Sequence, residues 1–391
     1  MRNTSRFFII CLIINIGCGG CKQTDTQSSD NIIVDVTASY PEKKLVLQDF
    51  MDVEYIVLEA NDEFVNQGVV VSVGKKFIMV MNSTITDGDI FIYDRNGKAL
   101  RKINRRGQGS EEYLYISRFI LDEDNSEIFV LDAMKKILVY DLYGNFRRNL
   151  DYKESVNYEN IFNYDKDYLI CDNQVSLTDG ERNAESFFII SKKDGRIVKE
   201  IKIPFKQEKT PMMMHKIDGD MSVMYTFRYL LNPIIPHNGD FIITPLSSDT
   251  IYRCLPDHNI EPFIIRTPSI QSMNPEVFLL PNILTDRYYF MESVKKEYSP
   301  DAPNGFPDKS LMYDRHEKAI YEYTINNDDY IGRIENFSTK ILNDEIAFRC
   351  KIEAFELIEA NKQAKLKGKL KEIADGLDED ANPVIMLVKY K

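Results

Sequence analysis

The chain contains no tryptophan, only four histidines among 391 residues, and fewer basic than acidic side chains, 49 against 61. Each shortage excludes something. Without tryptophan there can be no Trp-Asp repeat signature, and the paired glycines of kelch blades are also missing. The histidines His215, His237, His258 and His316 show no metal-ligand spacing and read as solvated loop residues. A net charge of −12 and a pI near 5.1 leave no clustered positive charge with which to neutralise phosphates, so nucleic acid is excluded as a partner. No Gly-x-Ser-x-Gly elbow, Walker loop or Ser-His-Asp arrangement is present.

Cysteine is sparse and unevenly placed. Cys171, Cys254 and Cys350 are far apart in apolar segments and read as buried small residues with no disulfide framework. The others cluster near the start. Arg2 and Arg6 precede "FFIICLIINI" (7–16), too short to span a bilayer but suited to the apolar region of a secretory signal. "GCGGCK" follows directly. Its small residues before Cys18 and Cys21 resemble a bacterial lipobox, although Asn15 and Cys18 stand where an aliphatic residue is usual. Cys18 is the expected lipidation site, with Cys21 the alternative. Cys-Gly-Gly-Cys also has redox or zinc spacing, but both uses need a folded setting that a signal segment does not provide. Residues 1–17 are therefore expected to be a lipoprotein signal, 18–31 a polar tether without hydrophobic period, and 32–391 one folded domain. The expected location is the cell envelope, with the lipid holding the protein on the outer membrane.

From residue 32 onward the chain is a succession of four- to six-residue apolar runs such as "FIMVMN" (77–82), "EIFVLD" (127–132) and "YLICD" (168–172), closed by Asp, Asn, Gly or Ser. They recur in register. "IFIYDRNGKALRKI" (90–103) and "ILVYDLYGNFRRNL" (137–150) share Tyr-Asp, a glycine three residues later and an arginine four beyond it. "FIISKKDGRIVKEI" (188–201) and "TIYRCLPDHNIEPFII" (250–265) repeat the pattern, and "LMYDRHEKAIYEY" (311–323) does so more weakly. Gly97, Gly144, Gly195 and Asn259 are the expected positive-φ turn residues, 47 to 64 residues apart. Dividing roughly 350 residues by that period gives about six units. The fold class predicted is all-β: a six-bladed β-propeller with a short helical insertion near the C-terminus, its ring closure removing open sheet edges.

Between the first two clear repeats lies "RRGQGSEEY" (105–113). It looks like an anion cradle, but no helix follows, and a crossing between blades in which glycine permits a sharp turn is the simpler reading. The run 90–150 resembles the NHL-like six-bladed β-propeller lipoproteins common in Bacteroidetes, whose crossing reads Gly-Arg-x-Gly-x-Gly-Pro-Gly-Glu-Tyr. Arg105, Gly107, Gly109, Glu112 and Tyr113 match, whereas Asn104, Ser110 and Glu111 depart from it. "VEYIVLEANDEF" (53–64) and the segment 369–391 are similar to that family's beginning and end. The resemblance implies fold and export and does not settle function.

Two segments interrupt the repeat, "KTPMMMHKIDGDMSV" (209–223) and "YSPDAPNGFPDKS" (298–310), and read as surface loops. Met212, Met213, Met214 and His215 form a candidate recognition loop, because methionine offers adaptable apolar surface; packing beneath the loop is the equal alternative. "DEDNSE" (122–127) reads as a polar hairpin, not a calcium loop. Residues 353–377 read as helix, and "VIMLVKY" (384–390) as a buried strand closing the ring against N-terminal strands. The function expected is a non-catalytic binding or scaffolding module for a glycan, peptide or protein, monomeric and without cofactor. The alternative is a lactonase-like hydrolase or lyase with a divalent cation bound in the central channel.

Overall fold

A computed structural model describes residues 31–391 apart from 83–86, 135, 152–155, 157, 174–183, 219–220, 228–232, 303 and 338–342. The signal segment, Cys18, Cys21 and nearly all of the tether lie outside the described residues.

The protein is a six-bladed β-propeller. Blade one is built from Val69–Val73, Phe77–Met81, Asp89–Asp94 and Ala99–Asn104, each antiparallel to the next. Blade two comprises Ile116–Asp122, Glu127–Asp132, Lys136–Asp141 and Phe146–Leu150, and blade three Tyr158–Asn163, Tyr168–Asn173, Ala184–Ser191 and Ile197–Pro204. Ile234–His237 to Ile260–Thr267 form blade four, and Val277–Leu284 to Ala319–Asn326 form blade five.

The continuous apolar runs follow from this architecture. In Glu127–Asp132 the side chains of Ile128 and Val130 pack toward blade one, while Phe129 and Leu131 pack toward blade three. Period-two alternation thus divides the strand between two interfaces, so both faces must be apolar. Ile78, Val80 and Phe91 of blade one likewise pack against Ile385 and Leu387 of blade six, which joins the ends of the ring.

Closure is made by the two chain termini. Val384–Tyr390 lies between Ile346–Ile352 and the N-terminal strand Met51–Val57, antiparallel to both. The repeat turns confirm the place of Met51–Val57. Gly144 packs on Ile103 and Gly195 on Leu150 and Asp151, each touching the end of the preceding blade's outer strand; Gly97 packs on Ile56 and Val57 in the same way. Met51–Val57 is therefore the outer strand of blade six.

Upstream of it, the N-terminal segment runs along the outer edges of two more blades. Ile32–Asp35 pairs parallel with Ile260–Thr267, and Glu42–Val46 pairs parallel with Ala319–Asn326. Lys43 secures this strap through Asp314 (2.9 Å) and Glu317 (2.7 Å) of blade five, where Arg287 also reaches Asp314.

Gly97, Gly144 and Gly195 have φ of 82°, 82° and 80°. In the first two turns an aspartate carboxylate, Asp94 or Asp141, accepts backbone N–H bonds from two and four residues on. Blade four differs from expectation: His258 has φ 67°, whereas Asn259 is not in the left-handed region. The Leu255 N–H bonds the Asn259 carbonyl as Asp94 N–H bonds that of Lys98, so Asn259 sits one place beyond the glycine position.

The methionine segment is also a correction. Met212–Asp218 and Met221–Thr226 form a separate β-hairpin instead of an irregular loop. Met213 and Tyr225 pack against the cluster containing Phe227, Phe278 and Phe306, and Tyr225 stacks on Tyr298 at 3.9 Å, so the two insertions meet. Met214 and its cross-strand partner Met224 are exposed. The expected C-terminal helix is two helices, Ala354–Lys362 and Gly368–Ala374, interrupted where Ala364 takes φ 53°. Leu357 and Leu370 are buried, while Phe355 points to solvent.

Candidate functional site

Strands and turns from blades one to four and six surround a cavity of about 590 Å³. Its apolar wall is Val71, Ile120, Phe162, Pro236 and Phe241, so a ligand's body would meet hydrophobic surface. Two guanidiniums enter it. Arg118 comes from Ile116–Asp122, where the register shifts between Ile116 and Arg118; such a bulge re-aims the side chains around it. Its guanidinium lies 5.4 Å from the Phe162 ring. Arg349 comes from Ile346–Ile352.

Among the described residues neither guanidinium has a hydrogen-bond or ion-pair partner, and the Arg349 Nε is shielded from solvent without an acceptor. Burial draws the Arg349 side chain down to about 10, and the positive charge of Arg118 adds to that shift. Burial lowers Arg118 too, against the fields of Asp172 and Glu159. Asp172 is itself raised to about 6 by burial and by Glu159, although it accepts bonds from Asn160 N–H (2.7 Å) and Nδ2 (3.0 Å).

Carboxylates line the rim, but most are already engaged. Asp122 pairs with buried Lys192 at 2.6 Å, and Glu123 accepts the backbone N–H groups of Lys75, Lys76 and Phe77 at 2.8–3.1 Å. Glu345 lies 3.8 Å from Arg95, and Asp165 accepts the N–H groups of Asp167 and Tyr168. Asp124 and Asp344 are exposed. Among the described residues no group of three or more His, Cys, Asp or Glu side chains could hold a metal ion.

The residues singled out in the sequence sit elsewhere. In the crossing, Arg105 Nε donates to the Gly144 carbonyl at 2.6 Å, and Tyr113 OH donates to the Gly88 carbonyl at 2.7 Å while accepting from Arg105 N–H at 2.9 Å. Neither Gly107 nor Gly109 takes positive φ. Gly107 is required for space, because a Cβ there would collide with the Glu112 carboxylate, which caps the Gly109 N–H at 2.9 Å. The glycines therefore hold a glutamate of the same loop rather than an external anion.

His215 lies on the methionine hairpin, and Gly97, Gly144 and Gly195 lie at blade edges. Nor are all the histidines solvated. His237 is buried on Ile234–His237 between Phe263 and Tyr289, and burial, with Arg253 and Arg315 adding, holds it neutral with a pKa of about 4. Arg118 and Arg349 were missed. The signal was available as a single arginine within each of the apolar strands "ISRFILD" and "IAFRCKI".

Residues 22–348 match a family described as a 6-bladed beta-propeller, DUF5128. The chain belongs to this family. No curated protein matches it. Among solved structures, an exported protein of Bacteroides fragilis NCTC 9343 superposes with a TM-score of 0.61 at 16% identity, over 90% of this chain and 99% of that one. A protein of unknown function from Bacteroides caccae gives 0.34 at 8% identity, covering 72% and 81%. Virginiamycin B lyase from Staphylococcus aureus gives 0.32 at 11%, covering 66% and 88%. Among the described residues no helix is long and apolar enough to cross a membrane.

Proposed function

We propose that this DUF5128 propeller is an exported, lipid-anchored binding module that takes a glycan or peptide into its axial cavity. The observation carrying this reading is the cavity itself: about 590 Å³, with an apolar wall contributed by several blades and polar and charged groups around the rest of it. A rigid ring holding such a cavity needs no moving part in order to bind. The N-terminal pattern of Arg2, Arg6, the apolar run and Cys18 or Cys21 supports lipid anchorage of the NHL-like lipoprotein type.

Ser117 is exposed at the cavity and offers a way to block it. In a screen of glycans and peptides against the purified protein, at least one binder should be held about 10-fold or more weakly by Ser117→Trp, while melting temperature is retained. If no binder responds to that substitution, the cavity is not the site. The anchor is tested separately. Cys18→Ser combined with Cys21→Ser should move the protein from the detergent phase to the aqueous phase, and unchanged partitioning would rule lipidation out.

A further inference from the structure

We infer that the axial cavity is an oxyanion site, in which Arg118 and Arg349 together hold a carboxylate or sulfate group of the ligand. This rests on the binding reading above and names the chemistry of the ligand.

The charge arrangement at the cavity carries the inference. Of the lysines lining it, Lys192 is matched to Asp122 at 2.6 Å, and Lys75 and Lys166 are exposed to solvent. Arg118 and Arg349 differ from both: they are half-buried guanidiniums of the cavity wall, the charge of one is felt at the other, and among the described residues neither has a hydrogen-bond or ion-pair partner. Holding two like charges together in a partly desolvated site costs stability, and leaving the Arg349 Nε without an acceptor costs more. An oxyanion removes both costs at once. Its oxygens accept charge-assisted bonds from planar guanidiniums, for which carboxylate and sulfate geometry is well matched.

The wall describes the rest of the ligand. Phe162, Phe241, Val71 and Pro236 offer apolar surface, suited to a sugar ring face or an aliphatic or aromatic body attached to the acid. Exposed Asp124 and Asp344 at the rim would repel a ligand carrying several negative charges. One acidic group on a mostly neutral body is the best fit.

Titration calorimetry of the purified full chain at constant ionic strength tests this with glucuronate as the carboxylate probe, sulfate as the inorganic probe and glucose as the neutral control. Saturable binding of glucuronate, sulfate or both is expected, with glucose silent. The acid that binds distinguishes a carboxylate from a sulfate source. Arg118→Gln and Arg349→Gln should each weaken binding about 10-fold or more. Each should also melt at or above the parent temperature without ligand, because the substitution relieves the repulsion. General salting-out by sulfate acts equally on parent and variants and is cancelled by the comparison.

The inference is overturned if neither acid binds, or if Arg118→Gln/Arg349→Gln binds as the parent does. A neutral glycan held equally by parent and double variant, yet lost on Ser117→Trp, would also overturn it while leaving the binding reading in place.

Discussion

Gly97→Val should destabilise the propeller by about 3 kcal/mol or more, and Gly144→Val by distinctly less, about 1–2 kcal/mol. Both residues have φ of 82°, a conformation that a β-branched side chain adopts badly, so both variants carry the same backbone strain. They differ in what a new side chain would meet. At Gly144 the nearest atom is Cγ2 of Ile103, 2.8 Å from an added Cβ, on a side chain that can rotate. At Gly97 it is the backbone carbonyl of Val57, which cannot move without disturbing the strand that closes the ring. The Gly97 carbonyl also accepts the Glu59 N–H at 2.8 Å, so the closing strand and the first blade are tied at this point. Urea denaturation of the two variants beside the parent measures the difference. Equal losses would show that the turn matters only for its dihedral and that Gly97 has no special part in closure.

The strands and their sixfold repetition were legible because a blade interior buries both faces of its middle strands, and because Asp-x-x-Gly marks the turn at one position in blades one and two. Where the chemistry of the turn changed, the reading slipped. Asn259 is a good left-handed residue, but the hydrogen bond from Leu255 N–H places His258 at the bend. The strap was hidden for another reason. Ile32–Asp35 and Glu42–Val46 are short, and their partners, Ile260–Thr267 and Ala319–Asn326, lie in distant blades, so no local pattern records the pairing. The methionine hairpin is obscured in the sequence by the Pro, Gly and Asp residues of its segment, which mark a loop and a hairpin alike.

The candidate site was the least legible part. Arg118 and Arg349 are separated by most of the chain, and neither belongs to a motif. Their significance arises only when the ring brings them to one cavity and gives neither guanidinium a hydrogen-bond or ion-pair partner among the described residues. The crossing at 105–113 was conspicuous in sequence for the opposite reason. Its residues are spent on holding the crossing in place, Glu112 on the Gly109 N–H within it, and Tyr113 on the Gly88 carbonyl and Arg105 on the Gly144 carbonyl outside it.

Truncation after Asn382 should abolish the folded monomer. The missing strand is central to blade six, bonded on one side to Ile346–Ile352 and on the other to Met51–Val57, so its loss leaves two strands with no partner between them. Val384, Ile385, Met386, Leu387 and Val388 are all 0% exposed. At about 1.5–3 kcal/mol for each such side chain, their combined burial amounts to about 10 kcal/mol, comparable to the entire net stability of a typical domain. The packing partners would also be uncovered, Ile78 and Phe91 on the side of blade one and Phe348 and Leu357 on the other. Removing residues 22–31 from the doubly serine-substituted chain should leave melting temperature unchanged, because that segment has no apolar side chain to bury. Size-exclusion chromatography with circular dichroism separates these outcomes. Recovery of the truncated chain as a monomer that melts like the parent would show that the ring is held by its other five blades and not by the junction of its two ends.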